Sequence, residues 1–305
     1  VTVIISGVFV PATTPFDPVT GDVDLVGFRE NARTWFEAPL AGMVLFGSTG
    51  EGLLLDESER TRLLEGVRGV TPEGRLLLAG TGAESTRATI RLTRSAAAAG
   101  ADAVLVQPPA FYRPQMTSAA LRDHYVAVAD AAPVPVILYQ VPPAYSGVEL
   151  VSGLVAELAR HANIIGIKDS TGDLKAMGAL VESCPAGFSI LVGSGAVLYG
   201  ALEVGACGGI LAVATLAARQ SCDVYRLKQA GDEAGAGRTQ EMLAPLHRSV
   251  VAAHGVPGVK MAMDMLGLAG GPPRSPLQPL REKDQRLVRE ALARAGLLES
   301  SGGDR

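Results

Sequence analysis

Short apolar runs recur along the chain at intervals of roughly 25–35 residues, a spacing that accommodates βα units. Eight of them read as strands: Gly7–Val10, Gly42–Leu45, Arg75–Ala79, Ala103–Val106, Val136–Tyr139, Ile164–Lys168, Ser189–Val192 and Gly208–Ala212. Most are apolar throughout rather than alternating, as parallel strands covered on both faces should be. Amphipathic stretches separate them. Asp56–Val70 opens on Asp-Glu-Ser-Glu-Arg and carries Leu63, Leu64 and Val67. Ser85–Ala99 offers Ser85 as an N-cap and Ile90 on its apolar side. Thr117–Ala131 and Val148–His161 behave similarly. Eight strands, each followed by a helix, predict a (β/α)8 TIM barrel. A doubly wound open sheet is the alternative, but it needs no eighth strand and usually carries a glycine-rich phosphate turn near its start, which this chain lacks.

Past residue 228 the strand candidates stop. Gly231–Gln240 is glycine-rich and charged, whereas Met242–His254, Lys260–Leu266 and Glu282–Leu298 read as helices, the last two separated by Pro272, Pro273 and Pro276. The chain is therefore expected to divide into a catalytic barrel, residues 1–228, and a C-terminal helical appendage, residues 229–305. The polar end Ser300–Arg305 is expected to fray.

Composition narrows the function classes. With 305 residues, 48% of them hydrophobic, the chain can bury a full core. A net charge of -4 gives no basic footprint for nucleic acid or an anionic membrane. Cys184, Cys207 and Cys222 are odd in number and at no metal spacing, which argues against a disulfide framework and suits a reducing, cytoplasmic setting. The apolar run Val1–Val10 has neither a basic flank nor a small-residue cleavage site and reads as a first strand, not a leader. No uninterrupted apolar stretch reaches the roughly 18 residues a membrane span needs.

Candidate chemistry gathers at the C-terminal strand ends, where such barrels place their sites. Only five of the 27 basic residues are lysine (Lys168, Lys175, Lys228, Lys260 and Lys283), and none precedes Lys168, which ends the sixth strand. Arginine keeps its proton near neutrality, whereas a desolvated lysine can lose it. A neutral amine attacks a carbonyl and forms a Schiff base, so Lys168 is a candidate nucleophile for a keto substrate; the bland alternative is a strand-end lysine that snorkels to solvent. Tyr139, ending the fifth strand, is either a proton shuttle or a core tyrosine with a satisfied hydroxyl. The turn Gly47-Ser48-Thr49-Gly50-Glu51 can hold a carboxylate or phosphate oxygen, or is an ordinary tight turn, with Glu51 as an internal carboxylate that orders it. Gly193-Ser194-Gly195 and Gly208-Gly209 lie where many barrels bind phosphate, or simply leave room for a ligand. His124, His161, His247 and His254 are scattered and lack a carboxylate cluster at a strand end, so no metal site is expected. His247 and His254 read as surface or packing residues of the helical tail. Cys207 has no histidine partner and reads as a small buried apolar residue.

Gly47-Ser48-Thr49-Gly50-Glu51, Tyr139-Gln140-Val141-Pro142 and Gly166-Ile167-Lys168-Asp169-Ser170 together resemble the signature segments of the pyruvate-dependent class I aldolases, the family of dihydrodipicolinate synthase and N-acetylneuraminate lyase. The likeness runs from Gly7–Phe16 to Leu280. It implies that Lys168 condenses with the keto carbon of pyruvate or a pyruvate-derived acid, and that Tyr139 transfers the proton as the carbon–carbon bond is made or broken. It further implies that Gly47, Ser48 and Thr49 hold the carboxylate, that Ser170, Gly193 and Leu211 adjoin the substrate, and that the chain forms a homotetramer built from dimers. No cofactor is implied, since the lysine itself serves as electron sink.

Two departures matter. The synthases carry an arginine after the tyrosine–proline segment; here Pro143-Ala144-Tyr145-Ser146-Gly147 has none and is one residue longer. The relay tyrosine that the family contributes across a dimer is matched by Phe111, with Tyr112 beside it, so either Tyr112 or water takes that role. The subgroup most similar is 4-hydroxy-2-oxoglutarate aldolase, through Leu76–Gly80, Tyr112-Arg113, Met116–Leu121, Lys168-Asp169-Ser170 and Gly270–Leu277. The expected reaction is cleavage or condensation of a short 4-hydroxy-2-oxo acid, from pyruvate and an aldehyde. The alternatives are dihydrodipicolinate synthase and an aldolase of 2-keto-3-deoxy sugar acids, for which Tyr145 and the longer loop could widen the pocket. From another class comes a non-catalytic, pyruvate-binding regulatory protein on the same scaffold.

Overall fold

In the computed structural model, eight parallel strands close into a barrel in sequence order, β8 returning to pair with β1. The described residues are 5–299; the start of the Val1–Val10 run and the polar Ser300–Arg305 end lie outside them. The strands are β1 (Gly7–Pro11), β2 (Gly42–Leu45), β3 (Leu76–Gly80), β4 (Ala103–Val106), β5 (Val136–Gln140), β6 (Ile164–Asp169), β7 (Ser189–Val192) and β8 (Gly208–Ile210).

Strand residues alternate between two buried layers, because successive side chains leave a strand on opposite faces. Phe9, Val44, Leu78, Leu105, Ile137, Leu191 and Ile210 fill the barrel interior. Val8, Met43, Leu77, Val104, Leu138, Ile190 and Val192 face the surrounding helices. Both layers are apolar, which is why the strands read as continuous runs. The last strand is shorter than Gly208–Ala212, since Ala212–Thr215 turns into a 3-10 segment. Gly208 stands at the other end of β8, opposite Gly7, where an added Cβ would lie 2.0 Å from the Gly7 carbonyl oxygen. The Gly208-Gly209 pair thus serves close strand approach at the barrel seam.

Five of the helices around the barrel begin on a side-chain cap. They are α1 (Leu25–Phe36), α2 (Glu57–Arg68), α3 (Thr86–Ala98), α4 (Ser118–Ala131), the short α5 (Pro143–Ser146), α6 (Ser152–Leu158), α7 (Leu174–Ser183), α8 (Leu198–Glu203) and α9 (Ala218–Gln229). Asp56 and Glu59 form a reciprocal capping box on α2, and Ser85 and Thr117 cap α3 and α4 through their hydroxyls. Leu63, Leu64 and Val67 are buried; on α3 the buried residues are Thr89, Thr93 and Ala96, with Ile90 half-buried against the core. The expected helix Val148–His161 is reduced to α6.

The C-terminal part is helical: α10 (Glu233–Leu246), a π-helical segment His247–Ala252, α11 (Ala253–Met265) and α12 (Glu282–Arg294). Gly231–Gln240 proves mostly helical despite its glycines. Asp232 caps α10 by accepting from the Gly235 N–H, and Ala236 and Leu243 bury its inner face, so packing overrides intrinsic propensity. At Gly255, whose φ is +57°, the chain kinks within α11.

Candidate functional site

Tyr139 on β5 and Lys168 on β6 are register partners, so both side chains emerge from the same end of the barrel toward its interior. Lys168 is 5% and Tyr139 4% exposed, and the amine lies 4.3 Å from the phenol ring centroid. The Tyr139 hydroxyl is 3.1 Å from Ser48 Oγ. Burial pushes the phenol's pKa up, but the Lys168 charge and hydrogen bonding with Ser48, Ser170 and Lys168 outweigh it, leaving the phenol below its ordinary value. A phenol with a loosened proton beside an amine can pass protons in either direction.

Ser48 is supplied by a turn held from several sides. Phe46 (φ +59°) and Glu51 (φ +54°) flank it in the left-handed region, uncommon for residues with side chains. The Gly50 and Gly52 N–H groups both donate to the Gly47 carbonyl at 3.1 Å. Glu51 is buried and accepts from Lys260 Nζ at 2.7 Å and from the Arg274 N–H at 2.7 Å. Lys260, also buried, donates as well to the Thr14 and Pro272 carbonyls at 2.8 and 2.7 Å. The internal carboxylate expected at Glu51 is thus tied to the C-terminal segment, and Lys260 is a residue that sequence reading did not connect with the turn.

The strand ends open into a cavity of about 340 Å³ lined by Ser48, Thr49, Tyr139, Lys168, Ser170 and Gly193, among others. Gly193 is required there, because an added Cβ would fall 1.8 Å from Ser170 Oγ. Ser170 is set by its N–H, which donates to the Gln140 carbonyl at 3.0 Å, and Thr171 by its N–H bond to the buried Asp169 carboxylate at 2.7 Å. Burial raises the Asp169 carboxyl above its ordinary range against that hydrogen bond.

Several expected site residues stand elsewhere. Leu211 points to the outer core and is fully buried; its neighbours Ile210 and Ala212 line the cavity instead, one residue to either side, as strand alternation requires. Gly47 supports the turn from beneath and is absent from the cavity wall. Phe111 and Tyr112 pack edge to face 5.1 Å apart, 79% and 64% exposed, away from the cavity of their own chain. Conversely, His247 is a buried wall residue rather than a surface one, its Nε2 lying 3.4 Å from Ser194 Oγ. Burial first, and then the neighbouring Arg248 charge, holds its pKa down to about 4. Pro142, Ala144 and Tyr145 of the arginine-free loop form another stretch of wall. Among the described residues no group of three or more His, Cys, Asp or Glu could hold a metal ion, and no helix is long and apolar enough to cross a membrane.

A closed (β/α)8 barrel with a lysine, a tyrosine and a hydroxyl-bearing turn converging on its C-terminal mouth is the framework of a barrel enzyme. The chain belongs to the dihydrodipicolinate synthetase family, whose sequence profile matches residues 4–295. It is 33% identical to the 4-hydroxy-tetrahydrodipicolinate synthase of Methanopyrus kandleri, over 98% of this chain and 99% of that one. It is 34% identical to a probable mitochondrial 4-hydroxy-2-oxoglutarate aldolase of Emericella nidulans, over 97% and 96%. It is 31% identical to the L-threo-3-deoxy-hexylosonate aldolase of Hypocrea jecorina, over 97% of each. Its fold superposes on the chloride-inhibited dihydrodipicolinate synthase of Acinetobacter baumannii in complex with pyruvate with a TM-score of 0.92, at 33% identity over 96% of this chain and 100% of that one. The chain is thus an enzyme of a family of synthases and aldolases.

Proposed function

We propose that the protein is a Schiff-base aldolase that cleaves or forms a 4-hydroxy-2-oxo acid, with pyruvate as one component and an aldehyde as the other. The observation that carries this reading is the Lys168–Tyr139–Ser48 constellation: a buried amine 4.3 Å from a phenol ring whose hydroxyl lies 3.1 Å from a serine on a glycine-rich turn. In this reading the free amine of Lys168 adds to the C2 carbonyl and water leaves, giving an iminium. For cleavage, Tyr139 takes the proton of the C4 hydroxyl. The C3–C4 bond breaks, its electron pair moves into the iminium to form an enamine, and the aldehyde departs. Protonation of C3 and hydrolysis then release pyruvate and restore the amine. Ser48 and Thr49, with the N–H groups of their turn, hold the C1 carboxylate.

The first substrate to try is 4-hydroxy-2-oxoglutarate, supported by likeness to the Emericella protein. Ser170, near the amine, is the group assigned to the substrate's hydroxyl region. Synthase activity is disfavoured because Ala144 and Tyr145 line the wall where the synthases carry an arginine. A second reading, a 2-keto-3-deoxy sugar acid, draws on the cavity's reach past Ser170 to Ser194 and His247 and on likeness to the Hypocrea aldolase. Intact-protein mass after incubation with pyruvate and borohydride tests the mechanism. A reduced pyruvyl adduct that disappears in Lys168→Ala is expected; no adduct on folded wild-type protein would remove the reading.

A further inference from the structure

The cavity wall carries two polar groupings: Lys168, Tyr139, Ser48 and Thr49 from the three motif segments, and the pair Ser194 and His247, which lie outside those segments. At about 340 Å³ it lies in the range, roughly 300–1,000 Å³, of pockets that take ligands larger than pyruvate. Among the described residues of its wall, Lys168 is the only lysine, arginine, aspartate or glutamate. We propose that His247 and Ser194 form a subsite that binds a hydroxyl on the aldehyde-derived half of the substrate, with Ser194 in contact and His247 orienting it.

The geometry fixes the direction of the hydrogen bonds. His247 Nδ1 is buried without a partner, close to Gly195, where an added Cβ would come within 3.3 Å of it. A bare lone pair costs less to bury than an N–H without an acceptor. The proton therefore belongs on Nε2, which faces Ser194 Oγ at 3.4 Å. Ser194 accepts from His247 and is left to donate its own proton into the cavity, while its second lone pair accepts from a ligand. Burial keeps the imidazole neutral near pH 7, so the pair offers directed hydrogen bonds without positive charge. A hydroxyl, donor and acceptor at once, matches it; a carboxylate finds no cation there.

The backbone supports this reading. His247 opens the π-helical segment, and π turns within α-helices are frequent at functional sites. That segment and the Gly255 kink carry Val251, Ala252 and Val256 onto the same wall. The three apolar side chains leave the Ser194–His247 pair as the polar feature of that side.

This inference rests on the aldolase reading in its second form, with a 2-keto-3-deoxy sugar acid as substrate, and its test separates the subsite from the aldolase chemistry. Condensation of pyruvate with glyceraldehyde, which carries hydroxyls beyond the carbonyl, is compared with condensation of pyruvate with glyoxylate, which carries none. In Ser194→Ala and His247→Phe the ratio of kcat/KM for glyceraldehyde to that for glyoxylate is expected to fall about tenfold, mainly through KM, as loss of one hydrogen bond predicts. His247→Gln, which keeps an N–H donor, is expected to recover most of the ratio. An unchanged ratio in both variants, or a wild-type enzyme that condenses glyoxylate but not glyceraldehyde, would overturn the subsite. Borohydride trapping with pyruvate alone is run on every protein. Adduct with no change in ratio sinks only the subsite, whereas absence of adduct on wild type sinks the aldolase reading and the subsite with it.

Discussion

Tyr139 is the residue on which the chemistry and the electrostatics meet. Its phenol is pulled below the ordinary value by Lys168 and by Ser48. Tyr139→Phe is expected to lower kcat by about 10²–10⁴-fold, the usual worth of a positioned proton-transfer group, while pyruvate can still be trapped on Lys168; steady-state rates and intact mass read the two effects separately. Ser48→Ala removes a hydrogen bond that favours the phenolate, so the Tyr139 pKa should rise. The check is an ultraviolet titration of tyrosinate absorbance, with Tyr139→Phe subtracted to isolate the one residue; a titration that stays in place would refute the assignment. These residues were legible in the sequence because each ends an apolar run or opens a glycine-rich turn. Leu211 was misplaced for the converse reason. Gly208–Ala212 is apolar throughout and carries no alternation to say which side chains face inward, and the structure turns Ile210 and Ala212 to the cavity.

At the scale of elements, the Gly47–Glu51 turn after β2 is clamped by α11 and the segment beyond it. Glu51 and Lys260 are a nearly solvent-free pair at 2.7 Å, and Arg274 adds its own N–H to Glu51 and two guanidinium bonds to Glu59 of α2. Removing one member of a buried pair leaves an uncompensated charge, so Lys260→Met is expected to cost about 3–5 kcal/mol. Glu51→Gln combined with Lys260→Met should cost less than the two single changes added together, a coupling that denaturant unfolding of all four proteins measures. None of this could be read locally. Lys260 sits in an ordinary helical pattern, and nothing in its neighbourhood announces a partner on the far side of the chain. His247 was hidden in the same way: it reads as a helix-tail residue until the π-helical segment turns it into the cavity. The caps, by contrast, were fully local. Asp56, Ser85 and Thr117 each stand one residue before the helix they start.

For the molecule as a whole, the eight-strand pattern was readable because parallel βα units space their apolar runs evenly, and strand ends shifted by only a residue or two. The outer surface carries a further feature. Phe111 and Tyr112 project side by side from the loop after β4, an exposed aromatic pair of the kind that marks an association surface. Light scattering is expected to give a tetramer of the 31.5 kDa chain, and Phe111→Asp to give smaller species; an unchanged mass in that variant would put the contact elsewhere.

The bond between Glu51 and Lys260 spans 209 positions, and the Arg274 N–H reaches Glu51 across 223. A ribosome therefore finishes Tyr139 and Lys168 well before it makes the residues that fasten the turn after β2. Contacts this distant in sequence form late, because the intervening loop must be closed first. A nascent chain that already carries the proposed nucleophile still lacks the fastening for the turn proposed to hold its substrate's carboxylate, and turnover is expected only once Lys260 and Arg274 have been made.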